Sequence, residues 1–219
     1  MHEYSRESIV EEIQRRRISA IIRSDDENVA ADAMRAAIGG GFRMVEFTLT
    51  TPGALRLIGE FARDPQLLVG AGTVLTVDQA RRAIAAGARF VVSPICDPQI
   101  IAAAHELGAV SIPGTFTPTE MMHAHRLGAD FVKLFPAPAN VADYVRAVLG
   151  PLPQLRIFPT AGVTLDSFVE VLRAGAAGVG FVRSLFDPED LARRDFKSIE
   201  RRAAQIVERL RSIPQASGG

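Results

Sequence analysis

Two ionisable side chains stand on strand-like segments that offer a charge no evident wet side. Lys133 lies in Asp130-Phe131-Val132-Lys133-Leu134-Phe135-Pro136, where a period of two puts Phe131, Lys133 and Phe135 on one face and Val132 and Leu134 on the other. Both faces are otherwise apolar. The chain has only two lysines, Lys133 and Lys197, and its 25 basic residues are otherwise all arginine. Arginine keeps its charge wherever it is placed, whereas a desolvated lysine can lose its proton and attack a carbonyl as a neutral amine. Two plainer arrangements stand beside that reading: a lysine snorkelling from the strand end to solvent, or one paired with a carboxylate.

Glu46 has the same geometry in Met44-Val45-Glu46-Phe47-Thr48-Leu49, with Met44, Glu46 and Thr48 on one face and Val45, Phe47 and Leu49 on the other. The strongly apolar face belongs against helices, which turns Glu46 inward. An ionisable group there is unfavourable unless it is paired or used. A buried ion pair between Glu46 and Lys133 is one solution. The same two groups also equip an imine-forming enzyme, one to attack a carbonyl and the other to move protons.

A third constellation suits an anion. Phe158-Pro159-Thr160-Ala161-Gly162-Val163-Thr164 ends one strand and opens a helix expected over Leu165–Ala174, with Thr164 as N-cap and Asp166 in the first turn. Gly162 lets the backbone turn with its N–H groups exposed, Ser184 after the last strand can complete a phosphate cradle, and Arg183 beside it can supply charge. A glycine in such a loop is also commonly just a tight turn. Arg23, in Ile21-Ile22-Arg23-Ser24, is the candidate for a substrate carboxylate, held by both arms of the guanidinium. Most other arginines fall on helices, where a solvated face is expected. The histidines, His2, His105, His123 and His125, sit at the terminus or on helical segments, and no metal site or general base is assigned to them. Cys96, the single cysteine, reads as space-filling near the strand ends.

These groups need a frame that brings strand ends together. Strand-like runs occur at Ile18–Arg23, Arg43–Leu49, Leu67–Gly70, Phe90–Ser93, Val110–Ile112, Phe131–Leu134, Leu155–Phe158 and Gly178–Val182, with amphipathic helical patterns between them. The alternation predicts an α/β fold, a (β/α)8 TIM barrel whose extra N-terminal helix over Ser5–Arg17 closes the bottom. An open doubly wound sheet is the second choice, since nothing marks a reversal of strand order. Arg23, Glu46, Thr73, Ser93, Pro113, Lys133, Thr160 and Ser184 recur at a mean interval of about 23 residues, the length of one strand, loop and helix. They would form the rim on which such barrels carry their chemistry. One domain is expected over residues 1–211, with a loose tail over 212–219.

Composition narrows the partners. The 219 residues carry 25 basic and 25 acidic side chains, which argues against nucleic acid or a membrane surface as partner. An apolar fraction of 47% suits a globular domain and excludes collagen-like, coiled-coil and disordered classes. A lone cysteine without zinc-type spacing gives no disulfide and no metal site. The first segment, MHEYSRESIVEEIQRRR, is charged throughout, and no apolar run approaches about 18 residues. The expectation is a cytoplasmic protein acting on a small anionic molecule.

Taken in order, several stretches resemble the 2-keto-3-deoxy-6-phosphogluconate (KDPG) and 4-hydroxy-2-oxoglutarate (KHG) aldolases. They are Gly41 to Thr50, Val69-Gly70-Ala71-Gly72-Thr73-Val74, Phe90-Val91-Val92-Ser93-Pro94, Pro113 to Glu120, Phe131 to Pro136 and Phe158 to Val163. The resemblance covers about residues 18–186. It implies a class I aldolase, without metal or other cofactor, on a homotrimeric barrel, with Lys133 as Schiff-base lysine and Glu46 as general acid and base. It further implies that Thr73 and an arginine hold the pyruvate carboxylate, that Pro94 and Phe135 line the pocket, and that Thr160, Ala161, Gly162, Val163 and Ser184 lie at the phosphate end. The reaction implied is cleavage of KDPG to pyruvate and glyceraldehyde 3-phosphate. Cleavage of 4-hydroxy-2-oxoglutarate or 2-keto-3-deoxy-6-phosphogalactonate is the alternative within the family; a sugar-phosphate isomerase or epimerase, or a non-catalytic binding barrel, lies outside it. Three positions depart from the family pattern: Thr50 where many members have arginine, Ala161 where the phosphate turn usually has glycine, and Phe181-Val182-Arg183 where small residues usually precede the serine.

Overall fold

A computed structural model describes residues 5–213. β1 (Ile18–Ile22), β2 (Met44–Thr48), β3 (Leu68–Gly72), β4 (Phe90–Val92), β5 (Val110–Ile112) and β9 (Val179–Phe181) form a parallel sheet in the order β5-β4-β3-β2-β1-β9. β6 (Gly114–Thr115), β7 (Val132–Leu134) and β8 (Ile157–Pro159) form a second parallel sheet in the order β6-β7-β8. The architecture is therefore α/β with a six-stranded half-barrel and a companion three-stranded sheet; the strand expected at Val110–Ile112 keeps those bounds, and the additional β6 follows it after Pro113. Proline has no N–H to give a ladder, although the Pro113 carbonyl still accepts from the Lys133 N–H at 2.8 Å.

The helices are α1 (Arg6–Arg16), α2 (Glu27–Gly39), α3 (Ala54–Phe61), α4 (Val77–Ala85), α5 (Pro98–Glu106), α6 (Pro118–Arg126), α7 (Val141–Leu149), α8 (Phe168–Arg173), α9 (Pro188–Arg193) and α10 (Phe196–Arg211). None of the described helices is long and apolar enough to cross a membrane. α1 matches the helix expected at the bottom, starting at the Ser5 cap and ending at Arg17 in the left-handed region. α8 begins three residues later than expected. Residues 165–167 form a turn in which the Thr164 N–H donates to Ser167 Oγ at 3.0 Å and the Ser167 N–H donates to Thr164 Oγ1 at 3.2 Å. The tail also starts later than expected, because Ser212 caps α10 and Ile213 is buried; residues 214–219 and His2 lie outside the described residues.

Strand alternation sorts side chains into two cores. Val45, Phe47, Val132 and Leu134 pack outward against the helices, while Met44, Phe90, Phe131 and Phe158 fill the interior above Ile9 and Ile13 of α1. Rings fit there because glycines face them: a Cβ on Gly70 would lie 2.2 Å from the Phe90 ring, and one on Gly178 would lie 2.4 Å from the Phe158 ring. This layer is the floor beneath the rim. Asp130, at the entry to β7, fastens that floor to its surroundings. Its Oδ2 accepts from the Ser111 N–H at 3.0 Å and lies 3.1 Å from His105 Nε2, and its Oδ1 lies 3.4 Å from Arg6 Nη1. Removing a buried carboxylate from such partners typically costs about 3 kcal/mol. An Asp130→Ala variant should therefore unfold at clearly lower urea concentration; an unchanged midpoint would contradict this role.

Candidate active site

Ten of the residues singled out from sequence come together. Arg23, Glu46, Thr73, Lys133, Phe135, Thr160, Ala161, Gly162, Val163 and Ser184 line one cavity of about 720 Å³ at the C-terminal ends of the strands. The Pro94 backbone packs against Gly114, where a Cβ would come within 2.3 Å of the Pro94 carbonyl, so it buttresses β6 beside Lys133.

Glu46 sits mid-strand on β2 and is only 3% exposed. Burial pushes its carboxyl up to about 7, against the opposing pull of the Lys133 and Arg23 charges. It can lie flat against β3 because Gly72 has no side chain: a Cβ there would meet Glu46 Oε1 at 2.0 Å. Lys133, on β7, is half-buried, and burial holds its amine below the ordinary lysine range. The Glu46 charge opposes that effect and the Arg23 charge adds to it. The Nζ sits 4.8 Å from the centroid of the exposed Phe135 ring. Glu46 and Lys133 influence each other's protonation, yet no ion pair or hydrogen bond joins them. The simple ion-pair arrangement is therefore not the one adopted.

Arg23 is held by its neighbours. Its Nη2 donates to Thr73 Oγ1 at 3.2 Å, and Thr73 occupies the left-handed region at φ 57°. A threonine in that region is disfavoured by about 1–2 kcal/mol, so the packing at the end of β3 holds it there. The next residue is tethered too, with the Ser24 N–H donating to Thr51 Oγ1 at 3.2 Å. Thr51 in turn lies 3.3 Å from Thr48 Oγ1, and Thr50 lies 3.0 Å from the same hydroxyl. Sequence reasoning missed these supporting residues. The signal for Gly72 was available, since Gly70 and Gly72 on one face of a strand indicate a close approach from its neighbour. The hydroxyl cluster left no comparable trace.

At the other end, Gly162 turns the chain at φ +68°. The Ser184 hydroxyl donates to the Val163 carbonyl at 2.8 Å, tying the loop after β9 to the loop after β8. Its proton thus serves the protein, and the loop's backbone N–H groups are what an anion would meet. His123 and His125 are exposed on α6, and His105 belongs to the Asp130 cluster. Cys96 packs partly buried beside the outer core, where burial pushes its thiol up. Among the described residues no group of histidine, cysteine and carboxylate side chains could hold a metal.

A lysine able to lose its proton, a buried carboxyl titrating near neutrality and an arginine beside both form the equipment of a lysine-dependent carbon–carbon lyase. The family described as KDPG and KHG aldolase matches residues 9–202. The 2-dehydro-3-deoxy-phosphogluconate aldolase of Treponema pallidum is 32% identical over 206 residues, covering 92% of this chain and 97% of that protein. A probable 2-dehydro-3-deoxy-6-phosphogalactonate aldolase of Rhizobium meliloti is 35% identical, covering 79% and 83%. The KDPG aldolase of Legionella pneumophila, solved with pyruvate captured as a covalent carbinolamine, superposes with a TM-score of 0.81 at 26% identity over 93% of this chain and 98% of that one. The chain belongs to the KDPG and KHG aldolase family.

The raised Glu46 pKa has a consequence for stability. An unfolded glutamate ionises near 4.5 and the folded one near 7, so the folded state binds the extra proton and loses stability as pH rises between those values. Glutamine does not titrate. Glu46→Gln should match the parent near pH 4.5 and exceed it by on the order of 3 kcal/mol at pH 8, as read by urea unfolding. A parent more stable than the variant at pH 8 would show that Glu46 is buried as a well-satisfied anion.

Proposed function

We propose that this cavity is the active site of a class I aldolase that cleaves KDPG to pyruvate and glyceraldehyde 3-phosphate. The observation that carries the reading is the placement of the Lys133 amine and the Glu46 carboxyl in one buried mouth, unjoined to each other and both shifted toward their neutral forms. The names of the Treponema and Legionella relatives support the substrate. The family description and the Rhizobium relative favour 4-hydroxy-2-oxoglutarate and 2-keto-3-deoxy-6-phosphogalactonate as second readings.

In this mechanism the neutral Lys133 amine attacks the C2 ketone, and the carbinolamine loses water to give an iminium. Arg23 and Thr73 hold the adjacent carboxylate. Glu46, ionised, takes the C4 hydroxyl proton through a water, the C3–C4 bond breaks, and its electron pair passes into the iminium to leave an enamine. Glyceraldehyde 3-phosphate departs. Glu46 returns its proton to C3, and water hydrolyses the resulting iminium to pyruvate and free lysine. A carboxyl titrating near 7 can both accept and return that proton, which a solvent-exposed glutamate would do poorly.

The frame proposed for this chemistry is one domain with a closed eight-stranded barrel. Two joins between the sheets support closure: the chain runs continuously through Pro113, and the Ala177 N–H donates to the Ile157 carbonyl at 2.9 Å. A cytoplasmic homotrimer is proposed with it, and the exposed Leu75, Ile95 and Phe116 offer apolar surface for subunit contact.

Incubation with pyruvate and borohydride should leave a reduced pyruvyl adduct on Lys133, mapped by mass spectrometry; no adduct on the folded protein would refute the imine. Lys133→Arg should stay folded and lose turnover. In the parent, kcat/KM should fall about tenfold per pH unit below 7, as Glu46 takes up its proton. Glu46→Gln should lower kcat by roughly 10²–10⁴-fold.

A further inference from the structure

Two arginines line the cavity, and they do different work. Arg23 lies close enough to bias both Glu46 and Lys133, whereas Arg183 contributes to the protonation of neither. The turn that presents Arg183 is fixed on several sides. The Val182 carbonyl accepts from the Leu185 N–H at 3.2 Å and the Phe186 N–H at 2.8 Å, the Leu185 carbonyl accepts from Arg202 Nη1 at 2.6 Å, and Ser184 is tied to Val163. The Arg183 guanidinium itself makes no hydrogen bond or ion pair among the described residues. Asp25 lines the same cavity and does not neutralise it.

Arg183 lines the same cavity as the turn at Ala161-Gly162. The Ser184 hydroxyl proton is committed to Val163, and Ala161-Gly162 supplies backbone donors but no formal charge. A phosphate ester carries nearly two negative charges, which neutral N–H groups stabilise less well than an arginine fork. We propose that Arg183 is a specificity-determining residue that selects 2-keto acids bearing a phosphate ester at the end remote from the reacting ketone. The proposal rests on the aldolase reading for its substrate class, and on the geometry of the 182–186 turn for the residue.

The test has two arms. In the first, binding of glycerol 3-phosphate, a probe needing no turnover, is measured by calorimetry on the parent, Arg183→Gln and Arg183→Lys. The parent should bind saturably and weaken as salt rises, Arg183→Gln should bind about tenfold more weakly, and Arg183→Lys should recover part of the loss. No saturable binding to the parent, or equal affinities in parent and glutamine variant, overturns the proposal. In the second, kcat/KM is compared for KDPG and for the same acid without phosphate. Arg183→Gln should lower the ratio of the two about tenfold, mainly through KM for the phosphorylated acid. An equal loss on both substrates would reduce Arg183 to a structural role. Failure of the parent to form a pyruvyl adduct would sink the aldolase reading alone, because the glycerol 3-phosphate arm still decides Arg183.

Discussion

Glu46 and Lys133 share a cavity mouth in which burial disfavours both charges and no ion pair joins the two. Each is pushed toward its neutral form by burial and drawn back by the other's charge. A closer approach would produce a salt bridge, in which the lysine keeps its proton and the carboxylate loses its basicity. A wider separation would leave two uncompensated charges in a low-dielectric interior. The residues around them maintain this spacing: Gly72 opens a slot for the carboxylate, and Phe135 offers its ring face beside the amine. Arg23 stabilises the anion of Glu46 while lowering the proton affinity of Lys133.

That balance requires a rigid floor, and the strand alternation supplies it. The residues that put Lys133 and Glu46 into the mouth also put Phe131 and Met44 one pleat below them. Phe131 meets Phe158 edge-on, with centroids 6.2 Å apart, and glycines on neighbouring strands make room for the rings. α1 closes this layer from beneath, and Asp130 ties its Arg6 to β5 and to the start of the strand bearing Lys133. Desolvation of the two ionisable groups is therefore a property of the whole stack, and loosening the floor would admit the water that their shifted protonation depends on excluding.

Much of this was legible because two-residue periodicity is local. The faces of residues 44–49 and 131–135 follow from the pattern alone, and with them the inward direction of both reactive groups. Features decided by a distant partner were not legible. The additional strand β6 after Pro113 depends on which strand lies beside it, and the burial of Ile213 depends on the core that α10 reaches. Thr164 was recognisable as a capping residue, but its reciprocal bonds with Ser167 delay the helix, and a side-chain exchange of that kind leaves no periodic mark. Pro94 lies past the end of its strand, where alternation no longer fixes a direction, and its backbone contact with Gly114 was not legible either.

Position 50 carries threonine, and Arg23 is the arginine that a neighbouring hydroxyl holds at this part of the rim. Thr50 places its hydroxyl 3.0 Å from that of Thr48, and carboxylate recognition in the proposed reaction falls to Arg23. A lone exposed arginine is a poor anion site, since holding its long side chain in one geometry sacrifices rotamer freedom. Here much of that ordering is done before substrate arrives: Thr51 holds the backbone at Ser24, and Thr73, kept in a disfavoured conformation, accepts from the guanidinium. The strain at Thr73 therefore has a use, because it aims a hydroxyl that fixes the arginine. One strained threonine and one loop tether can in this way give a single cation much of the directional selectivity that a second arginine would bring.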